Sequence, residues 1–481
     1  MCPDQVHPDQ DAGVAASAVE AKGKQAVTFL DAEIAEAPDS ANNFINEQPR
    51  TLPFRPIQYL GNKLRALPEI LDAAGNLIGG QGHVVDLFTG TTVVAQGFAG
   101  RGYKVSAVDT QRYAVIFAQA MLGIGRKPGE SCSFATLSAM GLNQPNSRFR
   151  EQWKPFLERE ANALLCADGA SLAAVSAELP LIWRSSNHTL RHHVEAPERR
   201  HAFGELSLLA SIYAGSYFGV LQALVLDELR QNVESAHSLG HLTDWQFAAA
   251  LTAIMSAASA AAHSAGKHFA QPLNAGSSRN ERFLTGRLLQ DRRIDIAQEF
   301  EAACNAIDEQ AMPFDGGHKA WCGPAESFVA KHDSADLYYL DPPYTAQQYS
   351  RFYHVLETIC NYEYPKLFYN GAVTTGLYPT NRYKSAFSSK RKTPPAFKTI
   401  IDKASNSGAA LAISYSQSAA HSSGNARMIS LEQLLDLCVA EFGGANVEWF
   451  KLSHRYRQFN SATASNSQRD DSEILITCKP R

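Results

Sequence analysis

Apolar runs alternate with polar turns in two blocks of the chain, and a long Ala-rich block lies between them. Val84-Val85-Asp86-Leu87-Phe88 reads as a buried strand followed by a Gly/Thr turn, Thr89 to Thr92. Small residues from Val93 to Ala99 then predict a helix, and Tyr103 to Asp109 predicts a second strand that ends in an acid. Strand, glycine turn, helix, strand is half of a doubly wound nucleotide-binding fold. Residues 126–325 are helical by pattern, with clear helices at Val220 to Val233 and Asp244 to His263, and the bland reading of their alanines is helix packing. Two polar, basic stretches, Trp183 to Arg200 and Asn274 to Arg293, read as loops flanking them. Strand signals resume at Leu337-Tyr338-Tyr339-Leu340, Ala409 to Ser414, Val447 to Leu452 and Glu473 to Cys478. Helices are predicted at Tyr353 to Tyr362, Pro395 to Ser405 and Leu431 to Phe442. The fold class expected is α/β, a Rossmann-like sheet interrupted by a large, mainly helical insert. The divisions are a mobile tail at 1–50, a first core part at 51–125, the insert at 126–325 and a second core part at 326–481.

Composition narrows the function classes. The 481 residues are 45% hydrophobic and 19% charged, enough for a large core, and the formal net charge is -4. Any affinity for nucleic acid must therefore come from local basic patches. No run approaches the roughly 18 apolar residues of a membrane span, and no signal peptide is visible, so a cytoplasmic protein without membrane partners is expected. The eight cysteines stand singly, without Cys-x-x-Cys or zinc spacing, so they read as reduced thiols and no metal site is expected.

The candidate chemistry gathers in four short segments. Asp341-Pro342-Pro343-Tyr344 follows the strand Leu337 to Leu340, at the sheet edge where open α/β folds bind ligands. Asp-Pro-Pro also serves as an ordinary strand-to-loop turn. Its residues nevertheless suit an exocyclic amine on a flipped base. Asp341 and the Pro342 carbonyl accept hydrogen bonds, the prolines supply no backbone donors, and Tyr344 stacks. Asp86-Leu87-Phe88-Thr89-Gly90-Thr91 is a glycine turn opening a helix, suited to a cofactor carboxylate or ribose. Asp109, 23 residues after Asp86, is placed to chelate ribose hydroxyls. Tyr59-Leu60-Gly61-Asn62-Lys63 offers close backbone approach at Gly61 and positive charge at Lys63. Gly-x-Gly-x-x-Gly and Gly-Lys-Ser/Thr are both missing, which disfavours dinucleotide and ATP phosphate sites. A nucleoside cofactor without a phosphate chain fits better, and S-adenosylmethionine is the obvious one.

In this order the segments resemble the Dam-like (alpha-order) DNA N6-adenine methyltransferases. Tyr349 to Thr358, Lys384-Ser385-Ala386-Phe387, Ser414-Tyr415-Ser416 and Glu473-Ile474-Leu475-Ile476 also resemble family segments, so the likeness runs from about residue 54 to 478. Tyr217 to Arg230 and His263 to Phe269 resemble its helical insert. The resemblance implies methyl transfer from S-adenosylmethionine to adenine N6 in DNA, giving S-adenosylhomocysteine without a metal. Asp341, Pro342, Pro343 and Tyr344 would be catalytic. Tyr59, Gly61, Lys63, Asp86, Phe88, Thr89, Gly90, Thr91 and Asp109 would hold the cofactor. Glu326 is the substitute for an acid expected near the cofactor's adenine, and Thr92 stands where the family has a second glycine. After Ser414-Tyr415 the family pattern has a charged residue or Asn, and this chain has Ser416-Gln417.

DNA is the expected partner, and a cognate restriction or defence protein would fit the same role. Arg191, Arg282, Lys390, Arg391, Arg455 and Arg457 are candidate DNA contacts, within basic runs that also include Arg184, Arg287, Arg292, Arg293 and Lys392. Rival readings are a cytosine N4 or RNA adenine methyltransferase, a catalytically silent DNA-binding subunit, and a protein or small-molecule methyltransferase, which the large insert and its basic loops disfavour. Intact Asp341 and Tyr344 argue against the silent subunit.

Overall fold

A computed structural model describes residues 53–59, 61, 63–184, 207–273, 281–332, 335–370, 372–416, 426–455 and 472–481. The tail at 1–50 and the calls at Arg191 and Arg457 lie outside these residues. Among the described residues, seven strands form one sheet: β1 His83–Asp86, β2 Lys104–Asp109, β3 Lys319–Cys322, β4 Leu337–Leu340, β7 Ala410–Ser416, β8 Val447–Arg455 and β9 Ser472–Cys478. A separate hairpin pairs β5 Tyr369–Asn370 with β6 Ala372–Val373. The order across the sheet is β3-β2-β1-β4-β7-β9-β8. The first five strands run parallel, whereas β9 runs antiparallel to both β7 and β8.

The sheet places its own site. From β1 the chain winds outward through β2 to β3, then returns to lay β4 on the other side of β1. That reversal opens a crevice at the C-terminal ends of β1 and β4, where Asp86 pairs with Tyr339 two residues before Asp341. The buried faces follow from sequence. β4 and β7 are buried at every position, as the runs Leu337 to Leu340 and Ala410 to Ser416 require of central parallel strands. Helices 93–100, 112–121, 325–331, 393–406 and 431–442 cover the two faces.

Between β2 and β3 the chain is helical. Helices Val220–Ser238 and Asp244–Ala261 carry its core, the second beginning with a Thr243/Gln246 capping box. Their alanines permit close packing, and Trp245, Ala249, Leu251 and Ile254 are all buried. This core is continuous with helix 112–121 and with helix 354–361 beyond the Asp341–Tyr344 turn, so all three segments share one hydrophobic cluster.

Two expectations need correction. The basic stretch from Asn274 was read as a loop, yet Glu281–Arg292 is a helix. Its charged residues hid the short apolar seam that seats Leu288 against Ala163 and Leu172. Strand β3 was not foreseen, because a four-residue edge strand with no fully buried position carries no periodic signal.

Candidate active site

Four side chains from three distant parts of the chain meet at the crevice. The Lys63 ammonium lies 2.7 Å from Asp341 Oδ2 and 2.8 Å from Glu473 Oε1, and donates to the Gly61 carbonyl at 3.1 Å. The Tyr344 hydroxyl lies 2.6 Å from Asp341 Oδ1 and 3.1 Å from Glu473 Oε1. Lys63 and Glu473 are almost wholly buried, while Asp341 keeps about a fifth of its side chain exposed, its side chain being 20% accessible. Local geometry explains the convergence. Asp341 follows β4 directly, and the prolines stop the strand there. Glu473 is the second residue of β9 and pairs with Ser416, the last residue of β7. Because β9 is antiparallel, its start, not its end, lies at the binding edge.

Electrostatics set the cluster apart. Burial pushes the Asp341 carboxyl up, Lys63 pulls it down and Glu473 pushes it up again, leaving it above the ordinary carboxylate range. Burial would lower Lys63, but the facing charges of Asp341 and Glu473 outweigh it and hold the ammonium well above its usual value. Lys63 was expected beside the cofactor. In the structure its ammonium lies against Asp341 and Glu473, because a buried ammonium needs acceptors for all three donors. Tyr344 was expected as an open stacking platform. Here its hydroxyl is turned onto the carboxylates and its ring meets Tyr415 edge-on at 5.2 Å. The guanidinium of Arg427, held by Ser416, lies 6.0 Å from the same ring.

A cleft open to solvent runs from Asp341 to the end of β2. Tyr59, Phe88, Asp109, Glu326, Asp341 and Pro343 are among its lining residues. Asp109 accepts from the backbone amides of Gly90 at 3.0 Å and Gln111 at 2.9 Å. Burial raises its carboxyl to about 6. Gly90 has φ +50, and an added Cβ would stand 3.1 Å from the Tyr59 ring, so glycine is required for this approach. Phe88 packs edge-on against Phe387 at 4.9 Å, and Tyr59 stacks on Tyr353 at 4.8 Å. Glu326 lies in the first turn of helix Ala325–Lys331, which follows β3, the strand whose Cys322 pairs with Asp109.

Asp86, Thr89, Thr91 and Gly61 are not among the cleft's lining residues. Asp86 is buried beneath the turn, its carboxyl raised to about 7 chiefly by burial, and its Oδ2 has no hydrogen-bond partner among the described residues. Thr92 adopts φ 66, the left-handed conformation that a glycine takes without penalty, and its hydroxyl is held by Thr91 and Gln96.

The basic candidates separate. Lys390, Arg391 and Lys392 are exposed at the start of helix 393–406. Arg292 is buried against the Tyr217 and Ser216 carbonyls, Arg287 pairs with Asp291, and Arg184 binds carbonyls at residues 176–179. These three brace the protein rather than project from it. The side chains of Arg282 and Arg455 lie outside the described features. Sequence reasoning missed Glu473 and Arg427. Glu473 stood at the head of a recognised segment, but nothing in its spacing reveals an antiparallel strand; Arg427 carries no signal.

Comparison with known proteins gives the same picture. The family described as D12 class N6 adenine-specific DNA methyltransferase matches residues 59–132 and 299–392, on either side of the helical stretch. Type II methyltransferase M.FokI of Planomicrobium okeanokoites is 24% identical over 352 residues, covering 72% of this chain and 43% of that protein. Modification methylase StsI of Streptococcus sanguinis is 24% identical over 349 residues, covering 72% of this chain and 42% of that one. Modification methylase LlaI of Lactococcus lactis subsp. lactis is 30% identical over 155 residues, 31% of this chain and 22% of that protein. The chain thus spans less than half the length of these relatives.

Proposed function

We propose that this chain, whose residues 59–132 and 299–392 match the D12 class of N6 adenine-specific DNA methyltransferases, transfers a methyl group from S-adenosylmethionine to the N6 amine of an adenine flipped out of DNA, as the modification activity of a restriction-modification or defence system. The observation that carries the reading is the shared cleft: Asp109 stands at one end and Asp341 at the other, with aromatic side chains between. A nucleoside bound by Asp109 would lie with its far end toward Asp341.

The residues fit this cofactor. A raised acid at the end of β2, a glycine turn held against Tyr59 and the Phe88 ring suit ribose and adenine. The cofactor supplies an electrophilic methyl group when bound. Everything else is positioning and charge. Extruding the base costs a few kcal/mol, and Tyr344 stacking returns about 1–3 kcal/mol. Asp341 and the Pro342 carbonyl accept the two amine hydrogens and aim the nitrogen lone pair along the cleft, so no side chain needs to act as nucleophile. Lys63 offsets the charge of the two carboxylates. The exposed Lys390-Arg391-Lys392 run would contact phosphates. A cognate nuclease would be the partner of such an activity.

The test is methyl transfer in solution. Purified protein, labelled cofactor and unmethylated DNA are combined, and the DNA is digested to nucleosides. Label in N6-methyldeoxyadenosine is the expected result. Label in N4-methyldeoxycytidine, or in RNA only, would replace the substrate; no label, with cofactor bound, would favour a silent subunit.

A further inference from the structure

Each oxygen of Asp341 already holds one donor, out of the two lone pairs it offers. Lys63 holds Oδ2 at 2.7 Å, and the Tyr344 hydroxyl holds Oδ1 at 2.6 Å. An amine that comes to Oδ1 shares that oxygen with the Tyr344 hydroxyl unless the hydroxyl turns away. Lys63 is fixed: its three contacts are Asp341, Glu473 and the Gly61 carbonyl, and withdrawing a buried ammonium from any of them leaves a charged group unpaired. Tyr344 has an alternative. Its single hydroxyl proton can turn from Asp341 to Glu473 Oε1, which is already 3.1 Å away.

We propose that Glu473 is a positioning residue for the transfer: it seats Lys63 against Asp341 and takes over the Tyr344 hydroxyl when the exocyclic amine claims Asp341 Oδ1. The inference deepens the function proposed above and rests on it. Glu473 lies outside the segments matched by the family. It sits on β9, paired with the end of β7, so the sheet itself sets the receiving oxygen beside Asp341. The structure described is then a resting state in which the phenol stands in for the amine. It spares Asp341 an unpaired oxygen while the base is still in the duplex. The charged groups near Asp341 are Lys63, Glu473 and, on the neighbouring strand, Asp86, and Tyr339 and Tyr344 are the neighbouring phenols.

The test compares wild type with E473Q, which keeps an acceptor oxygen and loses the charge. Cofactor affinity by calorimetry is expected to stay unchanged. Turnover on unmethylated plasmid DNA is expected to fall roughly ten-fold to a hundred-fold, the scale of one lost charge-assisted hydrogen bond. The acidic limb of its pH profile should move to lower pH, since Asp341 loses a neighbouring negative charge. A purely structural role would not move that limb. Wild-type turnover with an unmoved limb overturns the proposal. If E473Q does not fold, Y344F decides: with no hydroxyl competing for Asp341 its KM for DNA should fall, and an unchanged or raised KM overturns the proposal. If wild type itself transfers no methyl, 3-fluorotyrosine at position 344 separates the two failures. A 19F resonance that E473Q leaves unmoved sinks this inference, whereas a moved one keeps the contact and refutes only the function.

Discussion

Asp291 and Asp341 are both carboxylates set among cations, in opposite electrostatic situations. Asp291, in the helical part, faces His263 at 2.9 Å, Lys267 at 2.8 Å and Arg287 at 3.0 Å. Burial pushes its carboxyl up, but the hydrogen bonds from His263 and Lys267 outweigh that and hold it below its ordinary value. Asp341 has one cation and a second carboxylate, and it stands above its ordinary value. A carboxylate with surplus cations is satisfied and ties helices together. A carboxylate with a deficit still has use for a donor from outside, and Asp341 lines an open cleft. The difference separates bracing from chemistry where both clusters read alike in sequence, as scattered basic and acidic residues.

The largest effect should come from Asp341. Asp341→Ala is expected to lower single-turnover transfer by at least about a hundred-fold to a thousand-fold while leaving cofactor affinity nearly intact. Asp291→Asn should do the reverse. Breaking a buried charge cluster costs about 3–5 kcal/mol, to be read by denaturant unfolding, while turnover per folded molecule stays at wild type. If Asp291→Asn lost turnover without losing stability, the contrast between the two clusters would collapse.

Those two substitutions mark how far the sequence could be read. The sheet strands of the core, the Asp-Pro-Pro-Tyr turn and Asp109 were legible because buried strands give continuous apolar runs and turns need particular residues. Helix 431–442 matched its reading residue for residue. What was not legible depends on tertiary direction. Glu473 matters because β9 reverses, Lys63 because it points into the cluster rather than the cleft, and Arg292 because its helix turns it inward. Charge count showed four basic runs, but burial decided which residues remain available.

Smaller effects sharpen the contrast further. Asp109→Ala should weaken cofactor binding roughly ten-fold to a hundred-fold by calorimetry, and unchanged affinity would remove its ribose role. In wild type, cofactor affinity should decline as pH falls through about 6, where Asp109 takes up a proton and offers one acceptor fewer. The sign for stability is opposite. This raised carboxyl favours the unliganded fold most below its unfolded value and loses that contribution as pH rises through about 6. The turnover profile should have its acidic limb above the ordinary carboxylate range, because Asp341 must be ionised to accept the amine. Smallest of all, Lys390→Ala with Arg391→Ala should weaken DNA binding uniformly across sequences and reduce the salt slope by about 2.

The most direct test of the central claim, that Asp341 receives an adenine amine, is single-molecule sequencing of genomic DNA from cells expressing the protein, beside cells expressing Asp341→Ala. The account predicts N6-methyladenine at a defined sequence motif in the wild-type cells alone. DNA without new adenine methylation in either, or the same methylation in both, would contradict it.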